Sequence, residues 1–378
     1  MIQKIKIMLA AWARGIFFGS ANAVPQNLRR IAVVQMGRLG DMVCTTPVFR
    51  ALKSRYPDCE ILVVGMPGNT ELLKNHPNVN QYYAYTGNVW KLAQFLREAD
   101  VDGAIACGPH GMVLAAMLIA RIPVVITPQV VGGYSPYETR IYKFLRRFAI
   151  TKPHNMTKYA PREYLRLLEP LGIYTDDTRK ELMYSDEARQ KVQRKAFEAG
   201  INFGTDICIG ITPTAGNKIK EWPAERFGKL ASMIAKDYDF KIVVLGSQND
   251  HVRVKKMLTA VDSGVQIWDT CGQTDLNELK ALIANLDCVI AVDTGPIYIA
   301  EAFGVATIDI VGPVDENVQP PRGKKHVIVK TDVPGYPFLR IMNARIYDLA
   351  GARQAVEAVT PEMVFEKSKG LLTDLTNK

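Results

Sequence analysis

Histidine and cysteine are scarce in this chain of 378 residues, and neither gathers into a group. The six cysteines, Cys44, Cys59, Cys107, Cys208, Cys271 and Cys288, stand far apart, with no C-x-x-C pair and no Cys/His spacing of a metal site. Several lie in apolar runs and read as reduced core residues of a cytoplasmic protein. The five histidines are scattered, and neither His110 nor His154 stands in a recognisable triad with a nucleophile. Beyond the N-terminal segment no apolar run approaches the ~20 residues needed to span a bilayer, which argues against a helical membrane protein. The first glycine turn, Gly37-Arg38-Leu39-Gly40, lacks the third glycine of G-x-G-x-x-G, so it is not a dinucleotide fingerprint.

What is present describes a globular protein. The residues are 48% hydrophobic and 22% charged, and the length exceeds one compact core and suits two domains. A net charge of +9 favours anionic partners: phosphates, acidic sugars, nucleic acid or lipid headgroups. At the N-terminus Lys4 and Lys6 precede an apolar stretch, but Arg14 interrupts it, an imperfect signal peptide even with Ala21-Asn22-Ala23 as a cleavage-like site. On a helical wheel Ile5, Met8, Leu9, Trp12 and Ile16 share a face, as in a basic amphipathic helix lying on an anionic membrane. Packing on the protein's own surface, or a frayed end, is the alternative.

From Arg30 the pattern is strand, turn, helix, repeated. Ile31 to Val34, Ile61 to Val64, Gly103 to Ala106 and Val124 to Ile126 read as buried strands separated by lengths that hold crossover helices, which predicts a parallel sheet. Tyr137 to Leu171 reads as helices and is the most basic part of the chain; Arg140, Lys143 and Arg147 repeat at helical spacing. Asp176-Asp177 and the helix-like run Asp186 to Ala199 read as a connection, after which Ile207 to Ile211, Ile242 to Leu245, Val289 to Val292 and Ala306 to Val311 repeat the α/β pattern. The expected organisation is an N-terminal helix over 1–27, α/β domains over 28–180 and 181–345, and a tail over 346–378 whose helix packs back on the first domain.

Three polar segments follow strands. Gly37 and Gly40 permit close backbone approach, and Asp41 is placed to cap the next helix or to act as a base. The loop Thr212-Pro213-Thr214-Ala215-Gly216-Asn217-Lys218-Ile219-Lys220-Glu221-Trp222-Pro223 reads as flexible and able to bring an ammonium to a diphosphate, or as an ordinary solvated loop. Asp293-Thr294-Gly295-Pro296 reads as a helix start, where unpaired N–H groups form a simple cap or an anion site.

Together these segments resemble glycosyltransferase family nine, the lipopolysaccharide heptosyltransferases. Gly40-Asp41 with Thr45 and Pro47 looks like the family's G-D-x-x-x-T-x-P, Lys220-Glu221-Trp222-Pro223 like its K-x-W-P, and Asp293-Thr294-Gly295-Pro296 with Ala300 and Gly304 like its D-T-G-P-x-H-x-A-x-x-x-G. The resemblance runs from Arg30 to about Pro313. It implies a GT-B fold, two Rossmann-like domains facing a central cleft, the first taking the acceptor and the second the nucleotide sugar. It implies metal-independent, inverting transfer of a heptose from ADP-heptose, the ADP-sugar being a substrate and no cofactor being needed. Carried over, Asp41 is the general base beside Gly37, Arg38 and Gly40. Lys220, Thr294 and Gly295 hold the diphosphate, with Thr214 in the same loop. Asp293 meets donor-sugar hydroxyls or caps the helix, Gln248 lies near the ribose, and Gly272 to Leu276 lie by the base.

The sequence departs from the family where Tyr298 replaces the usual histidine, since a phenol donates one hydrogen bond but is not cationic near neutral pH. Arg140, Lys143 and Arg147 would face an anionic lipopolysaccharide core or the cytoplasmic face of the inner membrane. Asp100-Val101-Asp102 resembles the D-x-D metal motif of the other large glycosyltransferase class but precedes an interior strand, and no metal is assigned. The alternatives are a nucleotide-sugar epimerase of the same fold, which leaves the basic domain unexplained, or a non-catalytic nucleotide-sugar-binding protein, suggested by Tyr298. Nucleic-acid binding has no basic-aromatic module to support it.

Overall fold

A computed structural model describes residues 6–13, 27–334 and 349–377. The chain forms two compact units, Met1–Glu181 and Leu182–Lys378. In the first, β1 (Arg30–Gln35), β2 (Glu60–Gly65), β3 (Gln81–Ala84), β4 (Gly103–Ala106), β5 (Val124–Gly132) and β6 (Ile150–Asn155) make one parallel sheet in the order 3-2-1-4-5-6. The inner strands are apolar on both faces because helices cover both. Ala32, Val34, Leu62, Val64, Ala104 and Ala106 share a core with α3 (Val89–Glu98) and α4 (Gly111–Ala120). Between β1 and β2 runs α2 (Leu39–Arg55), packed on β1 and on α6 (Ala160–Arg166).

The second unit repeats the plan. β7 (Ile207–Thr212), β8 (Phe240–Val244), β9 (Ile267–Asp269), β10 (Cys288–Val292), β11 (Ala306–Ile310) and β12 (His326–Val329) lie in the order 12-11-10-7-8-9, which counted from β7 is again 3-2-1-4-5-6. α8 (Ala224–Asp237) and α9 (His251–Leu258) cover one face, where Ile209, Ile242, Ile290 and Ile308 meet Phe227, Leu230, Val254 and Met257. α7 (Asp186–Glu198) packs on α10 (Leu276–Ala284), which packs on α11 (Gly295–Ala302); α11 rests on β10 and β11.

Several expectations are corrected. Residues 150–155, expected within helices, form an edge strand on β5, and α5 (Arg140–Leu145) is short. The C-terminal helix α13 (Pro361–Thr376) belongs to the second unit. Val364, Phe365, Leu372 and Leu375, spaced along one helical face, join the second unit's core against α8, β11 and β12, preceded by α12 (Leu349–Glu357). At the N-terminus the described helix α1 (6–13) buries Ile7 and Ala11 in the first unit's core, neither of them on the expected face. Leu9 and Trp12 are exposed, and Ile5 and Ile16 lie outside the described residues.

Candidate active site

A sheet with order 3-2-1-4-5-6 reverses direction of assembly beside its first strand, and ligands of such sheets bind there, outside the carboxyl ends of the strands. In the first unit that point lies between β1 and β4. The chain leaves β1 through Gln35, whose buried amide oxygen accepts the Gly37 N–H at 2.9 Å and whose amide nitrogen donates to Thr45 Oγ1 at 2.9 Å. Asn69 holds the Gly37 carbonyl at 3.1 Å. A Cβ on Gly37 would come within 2.3 Å of the Asp41 Cβ, so only glycine lets the Asp41 side chain fold over the turn.

Asp41 is the third residue of α2, and its Oδ2 accepts the Arg38 N–H at 2.9 Å, half of a capping box. The cap is therefore made. A carboxylate has about four acceptor positions, so capping a helix does not by itself stop it from taking a proton. Asp41 is half-buried, Arg38 is exposed, and Gly40 lies in the first turn of α2. Behind it the buried phenol of Tyr164 lies beside Gln35 and feels the Asp41 charge; burial first, then that charge, pushes the phenol well above its usual range. Sequence reasoning missed Gln35 and Tyr164, which carry no motif.

In the second unit the switch point lies between β7 and β10. The loop after β7 is not the flexible, solvated one expected. Arg253 donates to the Pro213 carbonyl at 2.7 Å and to that of Trp222, while the buried Trp222 indole packs edge-on against Phe227 and donates to the Val359 carbonyl at 2.8 Å. Thr214 and Lys220 are buried and Lys218 is exposed. The Lys220 ammonium reaches Asp293 Oδ2 at 2.6 Å, with side chains only 6% and 9% exposed. The order of strands makes this pair, because β7 and β10 are neighbours and their carboxyl ends deliver the two loops side by side.

Asp293 is also held on its other oxygen. Tyr298, one turn into α11 and 3% exposed, donates its phenol to Asp293 Oδ1. Thr294 is the N-cap of α11 in extended backbone without a side-chain cap hydrogen bond among the described residues, and Gly295 and Pro296 follow. The first turn of α11 thus presents its positive end beside the ion pair.

The remaining expected residues occupy the same carboxyl edge. Gln248 is exposed after β8, with Oε1 2.3 Å from where a Cβ on Gly272 would be; Gly272, at φ +70°, lets the loop after β9 close on it. Leu276 opens α10 and is half-buried. Sequence reasoning missed Asp309, a lone acid in the apolar run of β11, 1% exposed.

Arg140, Lys143 and Arg147 are exposed together while Tyr142 and Leu145 face inward; Lys143 lies 3.6 Å from Glu138. Asp102 accepts the Arg29 and Arg30 N–H groups at 2.8 and 3.1 Å where β1 begins, at the edge of the sheet away from Asp41, so its carboxylate serves the fold. Among the described residues no helix is long and apolar enough to cross a membrane.

The profile of glycosyltransferase family 9 (heptosyltransferase) matches residues 89–344. The chain is 28% identical to lipopolysaccharide heptosyltransferase 3 of Escherichia coli K12 over 289 residues, 73% of this chain and 80% of that protein. In fold it is similar to a family 9 glycosyl transferase of Veillonella parvula, with TM-score 0.75, 22% identity and coverage of 93% of this chain and 100% of that one. It is likewise similar to the E. coli ADP-heptose lipopolysaccharide heptosyltransferase II, with TM-score 0.70, 20% identity and coverage of 91% and 99%. The two Rossmann-like units are those of the GT-B fold.

Proposed function

The chain belongs to glycosyltransferase family 9, the heptosyltransferases, and is a glycosyltransferase; from that premise we propose that it transfers a heptose or a related sugar from an ADP-linked donor to an anionic acceptor of the lipopolysaccharide-core type. The observation that carries the reading is the Lys220–Asp293 pair at the switch point of the second unit, beside the N-terminus of α11. A cation and a helix start at one sheet edge suit a diphosphate. The relatives are lipopolysaccharide heptosyltransferases, and one solved neighbour is described as using ADP-heptose.

In this reading the acceptor hydroxyl oxygen attacks the anomeric carbon as its proton passes to the Asp41 carboxylate. The bond from that carbon to the diphosphate breaks, and its electron pair leaves on the phosphate oxygen. Lys220 and the N–H groups at Thr294-Gly295 stabilise that charge. The Asp293 oxygens are already engaged by Lys220 and Tyr298, so its role is to hold these two groups rather than to meet sugar hydroxyls first. Thr214 borders the phosphates, and Gln248 with Leu276 lines the nucleoside side.

The exposed Leu9 and Trp12 of α1, with the exposed Arg140, Lys143 and Arg147, support peripheral attachment to an anionic cytoplasmic membrane surface. Sedimentation with anionic against neutral vesicles tests this, and equal binding to both rejects it.

The functional test is incubation with ADP-heptose and a truncated lipopolysaccharide-core saccharide, followed by mass analysis. A product heavier by one heptose supports transfer. An isomerised donor, formed without acceptor, establishes an epimerase instead, and donor binding without any product establishes a binding protein.

A further inference from the structure

Asp309 lies on β11 in register with Ala291 of β10, two residues before Asp293. Its neighbours Ile308 and Ile310 enter the core under α8 and α9, so Asp309 projects to the opposite face, which α11 covers. It is 1% exposed, and among the described residues neither carboxyl oxygen has a hydrogen-bond partner. A buried, unpartnered acid costs stability, and a native protein that keeps one calls for a reason.

Three groups surround the Asp293 carboxylate. Lys220 holds Oδ2, the Tyr298 phenol holds Oδ1, and Asp309 stands within electrostatic reach of both Asp293 and Lys220. Burial, reinforced by the Asp293 charge and opposed by Lys220, keeps the Asp309 carboxyl well above the usual carboxylate range, hence protonated and a hydrogen-bond donor. The cluster is neutral while Lys220 pairs with Asp293. If Lys220 turns to a phosphate, Asp293 is left as a buried charge with a single phenol, an arrangement that strongly disfavours release of the lysine.

We propose that Asp309 is a positioning residue held in reserve: its carboxyl donates to Asp293 when Lys220 leaves for the donor diphosphate, which lowers the cost of releasing the lysine. No covalent bond changes, and the proton stays on the Asp309–Asp293 pair. The inference rests on the reading of this edge as the donor-phosphate site.

The experiment uses the full chain with ADP as the probe, and reads thermal stability without ligand beside ADP affinity by calorimetry for parent, Asp309→Leu and Asp309→Asn. In Asp309→Leu the melting temperature is expected to hold or rise while ADP affinity falls on the order of tenfold, the value of one charge-assisted hydrogen bond. Asp309→Asn, whose amide still donates, is expected to bind ADP within about twofold of parent. A residue with a merely structural role would not separate the two readouts or be rescued by asparagine. Parent-like ADP affinity in Asp309→Leu overturns the inference alone, as does loss of the folded state in that variant, since a reserve donor is not needed for folding. Failure of the parent to bind ADP overturns the reading of the site and this inference with it.

Discussion

Lys220 Nζ lies 2.6 Å from Asp293 Oδ2, two side chains separated by 73 residues in the chain and both more than nine-tenths buried. Neither loop could keep its charge buried alone, since an uncompensated ion in a protein interior is far costlier than a paired one. The pair therefore fixes the loop after β7 against the start of α11, and the stability of the second unit and the proposed donor-phosphate site depend on the same contact.

Removing one partner is expected to hurt more than removing both. Lys220→Met leaves Asp293 buried with the Tyr298 phenol and the proposed Asp309 donor, and a loss of about 3 kcal/mol, the low end for a broken buried pair, is expected from urea denaturation. Lys220→Met combined with Asp293→Asn should recover most of that loss. Neither variant should bind ADP as the parent does. A double variant no more stable than the single one would show that the ion pair is not what holds these loops.

The same loop is anchored by Trp222, fully buried, with its ring against Phe227 and its N–H on the Val359 carbonyl. Trp222→Ala should cost about 3–5 kcal/mol by leaving a cavity. Trp222→Phe should cost only about 1 kcal/mol, because Arg226 also donates to the Val359 carbonyl at 2.6 Å and that oxygen stays satisfied. Equal losses in the two variants, measured by denaturation, would place the effect in the hydrogen bond rather than in packing.

The parts of the fold legible in the sequence are those where burial is two-sided. β1, β2, β4, β5, β7, β8, β10 and β11 announce themselves as apolar runs such as Ile31 to Val34 and Val289 to Val292, because helices cover both their faces. The four strands that escaped notice, β3, β6, β9 and β12, are the edges of the two sheets, where the exposed Gln81 and the half-exposed Lys152 and His326 blur the pattern. The turns that carry the candidate site were legible wherever a glycine, proline or capping residue marked them, as at Gly37, Pro223 and Gly295. The site's internal wiring was not. That Tyr298 turns inward to Asp293, and that Asp309 waits behind them, follows from which strands are neighbours, and a single acid inside Ala306 to Val311 carries no spacing that could reveal it.

Asp309 also gives the protein a stability term with a definite sign in pH. Its folded-state carboxyl is raised by burial and by Asp293, against Lys220, so the folded protein keeps a proton that the unfolded chain releases above about pH 4. That term is fully present below the unfolded value and is lost as pH rises toward the folded one. Asp309→Asn, which cannot ionise, should therefore gain on the parent by up to about 1.4 kcal/mol per pH unit through the interval between the two values. Lys220, Asp293 and Tyr298, the other ionisable groups of the cluster, remain in both proteins, so the difference reports Asp309 together with its coupling to them. Denaturation of the two proteins at pH 5, 6, 7 and 8 measures it. A difference that stays constant across the series would mean that Asp309 ionises in the folded protein as freely as in the unfolded one.

Asp41 is a helix cap in this structure and a base in the proposed reaction, and one substitution separates the two roles. In Asp41→Asn the amide oxygen can still accept the Arg38 N–H that now lies 2.9 Å from Oδ2, and Asn caps helices about as well as Asp, so stability should change by less than about 1 kcal/mol. The amide cannot take a proton from an acceptor hydroxyl. Transfer should fall by roughly 10²–10⁴, while ADP affinity, assigned to Lys220 and the start of α11 in the other unit, should stay at the parent value. Asp41→Ala removes the cap as well and should add a stability loss of about 1 kcal/mol to the same fall in rate. A product mass assay on both variants, with denaturation alongside, decides the matter. Transfer by Asp41→Asn at near the parent rate would leave Asp41 with the cap alone and send the search for the base elsewhere along the carboxyl edge of the first sheet.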